Sequence, residues 1–145
     1  MNAMNKRSWG AIDTTQLSNW QTRALAVAAA VVINVVILTI GRLVNGEFPV
    51  ATVGSDDQTI GYVQVVGVTA VNGLVAWGLL ALLERTTSRA TTIWTAIAGI
   101  MFVLSMLGPI DGGVNTSSKI VLVLLHVGAA ATIIPLMRSS SASRE

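Results

Sequence analysis

The chain has 145 residues, 52% of them hydrophobic and 11% charged, with a formal net charge of +2. A mean hydropathy of +0.68 excludes a disordered chain, and so few charges argue against a water-soluble globule, in which about a quarter of residues are charged. With no cysteine and one histidine, disulfides, thiolate metal sites and catalytic zinc held by two or three histidines of this chain are excluded as well.

A bilayer core about 30 Å thick is crossed by roughly 20 apolar residues of helix. Four stretches reach that length or approach it: about 24–44, 60–83, 91–108 and 120–137. Buried strands rich in Val and Ile run only about 4–8 residues, so these are helices. Ahead of them lies a polar cytoplasmic or interfacial segment, 1–23, in which Ser18 and Gln21 stand at capping-box spacing. Helix one is therefore predicted to begin before its apolar run, and Asn45-Gly46 with Pro49 end it. Its apolar run is longer than a signal-peptide core and is preceded by polar chain, so it reads as a retained span. A loop of about 15 residues follows. Asp56 or Asp57 is placed to cap helix two, Ser88 helix three, and Ser117 or Ser118 helix four. Gly108-Pro109 with Gly112-Gly113 are predicted to end the third helix. Pro135 marks a local bend, and Ser139 to Ser143 read as a solvated end within the cytoplasmic tail 138–145. Trp9, Trp20, Trp77 and Trp94 fall near span ends, the interfacial preference of amphipathic rings.

The expected fold is all-α: an antiparallel four-helix transmembrane bundle over 24–137. Four spans put both termini on one side, together with Lys6, Arg7, Arg23, Arg85, Arg89, Arg138 and Arg144; only Arg42 and Lys119 lie opposite. The positive-inside rule places the termini in the cytoplasm and the protein in the plasma membrane. The basic pI of 9.7 thus reflects topology, and no aromatic-interleaved basic patch points to nucleic acid.

Function in a membrane protein shows as polar side chains where they cost energy. The spans hold no Asp or Glu at depth, so a proton-coupled exporter with an intramembrane carboxylate is excluded. The polar residues present are Asn34, Gln64, Thr69, Asn72, Thr95, Ser105 and His126, with Arg42 near the outer end of helix one. At about 100° per residue, Gln64 and Asn72 share a face of helix two with Gly61, Gly67 and Gly78. Small residues likewise flank Asn34 and His126. Small neighbours let helices approach and polar groups bond across the contact. Asn34, Arg42, Gln64, Asn72, Ser105 and His126 are therefore the candidate lining of a polar pocket in the outer half, with Arg42 at its mouth.

Each has a plainer reading. The carboxamides can bond between helices, and Arg42 can snorkel to the rim. His126 can be a neutral histidine bonded to an amide of helix one or two, a titrating or ligand-contacting group, or a haem ligand with Met101 or Met106 opposite. Ser105 and His126 imitate a nucleophile and base, but only Asp111 could orient them. No catalytic, metal or cofactor set is assigned. The leading function is a non-enzymatic interaction or accessory subunit, with the lipid bilayer and a membrane-protein partner or a second copy as partners. The alternative is a module that binds or transports a small neutral or anionic molecule in the pocket; an intramembrane enzyme or haem protein is weaker.

Trp94 with Leu104-Ser105, Gly108-Pro109, Leu125-His126, the run Gly128-Ala129-Ala130-Ala131, Pro135 and Arg138 resemble one family. It comprises small four-span bacterial membrane proteins of actinobacterial type, catalogued as a domain of unknown function. The resemblance covers about residues 20–138 and implies a four-helix integral membrane fold with both termini inside, without activity, cofactor or partner.

The orientation is tested by single cysteines in this cysteine-free chain. Asp56→Cys should react with an impermeant thiol reagent on intact cells and Arg89→Cys should not; the reverse pattern overturns it.

Overall fold

The computed structural model describes residues 18–52, 55–112 and 114–141. Lys6, Arg7, Trp9, Gly113, Ser143 and Arg144, used above, lie outside them. In chain order the elements are α1 (Asn19–Asn45), β1 (Pro49–Thr52), β2 (Ser55–Thr59), α2 (Tyr62–Thr86), α3 (Ala90–Ser105), α4 (Leu107–Gly112) and α5 (Thr116–Ser141). Four helical stretches, α1, α2, Ala90–Asp111 and α5, are long and apolar enough to cross a membrane. That is consistent with a multi-pass membrane protein, and so are side chains such as Leu43 and Val63, 82% and 86% exposed.

Helix starts are decided by which side chain reaches the orphan N–H groups. At α1, Gln21 Oε1 accepts the Ser18 backbone N–H at 2.9 Å, as the capping-box spacing predicts. The other starts differ from expectation. Asp56 and Asp57 lie in β2, because the loop after α1 folds into an antiparallel hairpin with Pro49 opposite Thr59 and Val50 opposite Gln58. Helix two instead starts at Gly61, whose N–H meets Gln64 Oε1 at 2.8 Å. Before α3, Thr87 Oγ1 accepts the Arg89 N–H at 3.2 Å, displacing Ser88 from the role. At α5, Asn115 Oδ1 accepts the Ser118 N–H at 2.8 Å, so Asn115 is the cap rather than Ser117 or Ser118.

Two stops repay comparison. Gly46 leaves α1 at φ +79°, a conformation glycine adopts without steric cost. Gly108-Pro109, expected to end the third helix, instead lie inside α4, and the break comes earlier, at Met106. A straight helix would drive the Pro109 ring into the Ser105 carbonyl; in the first turn of a new helix its missing N–H is harmless.

α1 is the hub, packed along α5 and α2, while α3 leans on α2, and α2 barely touches α5. Ala26, Ala30, Asn34 and Leu38 form the buried stripe of α1, spaced four residues apart along one helical face. On α2 the buried positions are Val65, Thr69, Gly73 and Leu80. This corrects the predicted face around Gln64: Gly67 and Gly78 meet nothing within 4 Å, whereas a Cβ on Gly73 would lie 3.0 Å from Val27. α1 and α5 pack closely at Gly128, where a Cβ would lie 2.8 Å from Ile37 Cδ1 and 3.1 Å from Asn34 Oδ1.

Apolar clusters flank this level. Towards the chain ends lie Ala26, Ala30, Leu80, Trp94, Ile133 and Met137; towards the hairpin lie Leu38, Phe48, Ile60, Val65, Val121 and Leu125. Trp94 is thus no rim anchor. It is 1% exposed, and its Nε1–H donates to the Ala76 carbonyl of α2 at 2.8 Å.

Gly128→Val should lower stability by about 1–3 kcal/mol through overpacking. Gly67→Ala, facing open space, should be neutral or slightly stabilising. Thermal unfolding of both variants in detergent checks the contrast.

Candidate functional site

Because α1 carries both α2 and α5, a space opens between those two helices. Its hairpin-side lobe, about 460 Å³, is lined by Asn34, Gln58, Ile60, Gln64, Val65, Val68, Thr69, Asn72, Gly108, Pro109, Leu122, Leu125, His126 and Ala129. A second lobe of about 300 Å³ lies towards the chain ends between α2, α3 and α5, walled by Trp94, Ile97, Met101, Phe102, Ser105 and Ile133 among others. Asn72, His126 and Ala129 line both lobes.

Four of the six predicted residues, Asn34, Gln64, Asn72 and His126, therefore border one cavity. Asn34 is 3% exposed; its Nδ2 donates to Thr69 Oγ1 at 2.9 Å, while its Oδ1 is buried without a partner. Gln64 borders the mouth with its oxygen committed to the Gly61 cap. His126 bonds neither helix one nor helix two: its Nδ1 lies 2.7 Å from the Leu122 carbonyl, one turn back on its own helix. A carbonyl only accepts, so Nδ1 carries a proton, and in the neutral ring Nε2 is left as an acceptor.

The other two stand apart. Ser105 borders only the second lobe, with its hydroxyl turned back on the Phe102 carbonyl at 2.7 Å. It shares that lobe with His126, but no hydrogen bond joins them among the described residues. Arg42 borders neither lobe. It donates to the Ile60 carbonyl at 2.6 Å and lies over the Tyr62 ring, 4.9 Å from its centroid, so its charge ties α1 to the residues joining the hairpin to α2. Among the described residues, neither lobe has an Asp, Glu, Lys or Arg in its wall. An apolar cavity of this size with a few convergent polar groups has the form of a small-molecule site.

Residues 14–143 match a family of unknown function, DUF6069. The chain belongs to that family. No curated protein and no solved structure matches it significantly.

One polar cluster escaped the sequence reading. Where the start of α1 meets the ends of α2 and α5, Arg23 pairs with Glu84. Its Nε donates to Ser140 Oγ at 3.0 Å and its Nη2 to Ser141 Oγ at 3.1 Å, while Ser141 Oγ donates to Glu84 at 2.6 Å. Ser140 and Ser141, expected in a solvated end, are each 3% exposed. Glu84 just past the apolar run of span two was the available signal; the serines carried none.

Removing one partner of a buried pair leaves the other charge uncompensated. Arg23→Met should therefore cost about 3–5 kcal/mol, and His126→Ala less than about 2 kcal/mol. Chemical unfolding in micelles followed by circular dichroism ranks the two; equal costs would contradict the contrast.

Proposed function

We propose that this is an integral protein of the plasma membrane, an antiparallel four-helix bundle with both termini cytoplasmic, which holds a small neutral molecule between α2 and α5. The observation that carries the reading is the convergence of Asn34, Asn72 and His126 on an uncharged cavity of about 460 Å³. Arg42 is engaged elsewhere, so the neutral ligand is favoured over the anionic one. The seven-to-two division of basic residues supports the orientation. The role is non-catalytic: Ser105 is held by Phe102, and among the described residues no acidic side chain lines either lobe to orient a base.

A second reading, an accessory subunit or homo-oligomer, draws on Gly67 and Gly78, which look into open space from α2 and leave room for a helix from outside the bundle.

Extraction into a mild detergent followed by mass spectrometry of bound organics tests the first reading. A near-stoichiometric neutral molecule should copurify with the native chain and be lost from Ala129→Phe, which fills the junction of the lobes without removing a polar side chain. No molecule in the native preparation, or equal retention by Ala129→Phe, would contradict it.

A further inference from the structure

We propose that the molecule held between α2 and α5 is a neutral amphiphile bearing a hydroxyl group. Its O–H donates to His126 Nε2, and its apolar body fills the lobe against Trp94. The inference rests on the cavity reading and names the ligand class for that site.

The surroundings of His126 call for a donor. The Leu122 carbonyl holds the proton on Nδ1 of His126, so Nε2 offers a lone pair, and among the described residues no protein donor meets it. An acceptor without a donor disfavours a ketone, ether or ester, which would set oxygen against lone pair, and suits an alcohol or phenol. Asn72, from the opposite helix, lines both lobes beside His126; its amide can donate to the same hydroxyl oxygen.

The walls decide the rest. An ion would be stripped of water with no counter-charge to meet it, because among the described residues no charged side chain lines either lobe. The lobe beyond the junction is walled by Trp94, Ile97, Met101, Phe102 and Ile133, which suits an alkyl or aryl body. Trp94 also makes occupancy visible, since an indole in the wall reports a neighbour by its fluorescence.

The test compares 4-octylphenol with its methyl ether, 4-octylanisole, on the full chain in detergent. Binding is followed by Trp94 fluorescence in a variant whose other three tryptophans are phenylalanine. The phenol should bind about tenfold more tightly, the effect of one net hydrogen bond, and His126→Phe should bring the two to parity. The chain has a single histidine, so ¹⁵N-histidine labelling gives one imidazole to follow. Its unprotonated Nε2 resonance should move with the phenol and not with the ether. That spectrum, taken on the native chain, decides the matter even if His126→Phe does not fold. Equal affinities with an unmoved Nε2 would overturn the hydroxyl assignment and leave the apolar cavity standing. Binding of neither probe would overturn the cavity reading as well.

Discussion

Asn34 joins three helices at one level of the structure. Its amide donates to Thr69 on α2, and its oxygen lies in the notch that Gly128 leaves on α5. In lipid no hydrophobic force draws apolar helices together, so close contact through small residues and directional hydrogen bonds set how they meet. Here both act on α1, at Gly128 and Gly73 for contact and at Asn34 for bonding. The consequence is that α2 and α5 each rest on α1 and scarcely on one another. The space between them follows from that arrangement, and Asn72 and His126 border it because they stand beside the α1 contacts.

The ends of α1 explain why the space is uncharged. Arg23 is enclosed by Glu84, Ser140 and Ser141, and Arg42 by the Ile60 carbonyl and the Tyr62 ring. Each cation ties α1 to a neighbour: Arg23 to the ends of α2 and α5, Arg42 to the residues joining the hairpin to α2. Between them lie the two apolar clusters and the Asn34 level. One helix thus carries ionic contacts near its ends and a neutral polar contact at its middle, the order in which a bilayer makes charge progressively more costly.

Much of this was legible in the sequence, and the failures have physical causes. The four helices could be read because an apolar run of about 20 residues has few alternatives. Asn34, Asn72 and His126 stood out because polar groups at such depth need a reason. The buried face of α2 was misplaced because Gln64 and the glycines were weighed by their own chemistry, whereas Thr69 and Gly73 are selected by what α1 presents, Asn34 and Val27. Ser140 and Ser141 could not be read at all. A serine run looks solvated until Arg23, 117 residues from Ser140, is brought beside it. Arg42 and His126 were placed near their positions but not with their partners, since both bond backbone carbonyls, which every residue possesses. The hairpin was missed because its strands are short and carry two acidic residues that read more naturally as helix caps.

The Asn34–Thr69 bond is open to direct measurement by a double-mutant cycle of Asn34→Leu and Thr69→Val, with stability read from reversible unfolding in micelles. If this bond links α1 to α2, the two substitutions together should cost less than the sum of their separate effects, by about 0.6 to nearly 2 kcal/mol. Strict additivity would mean that the two side chains do not interact, and the account of how the bundle holds its cavity would fail.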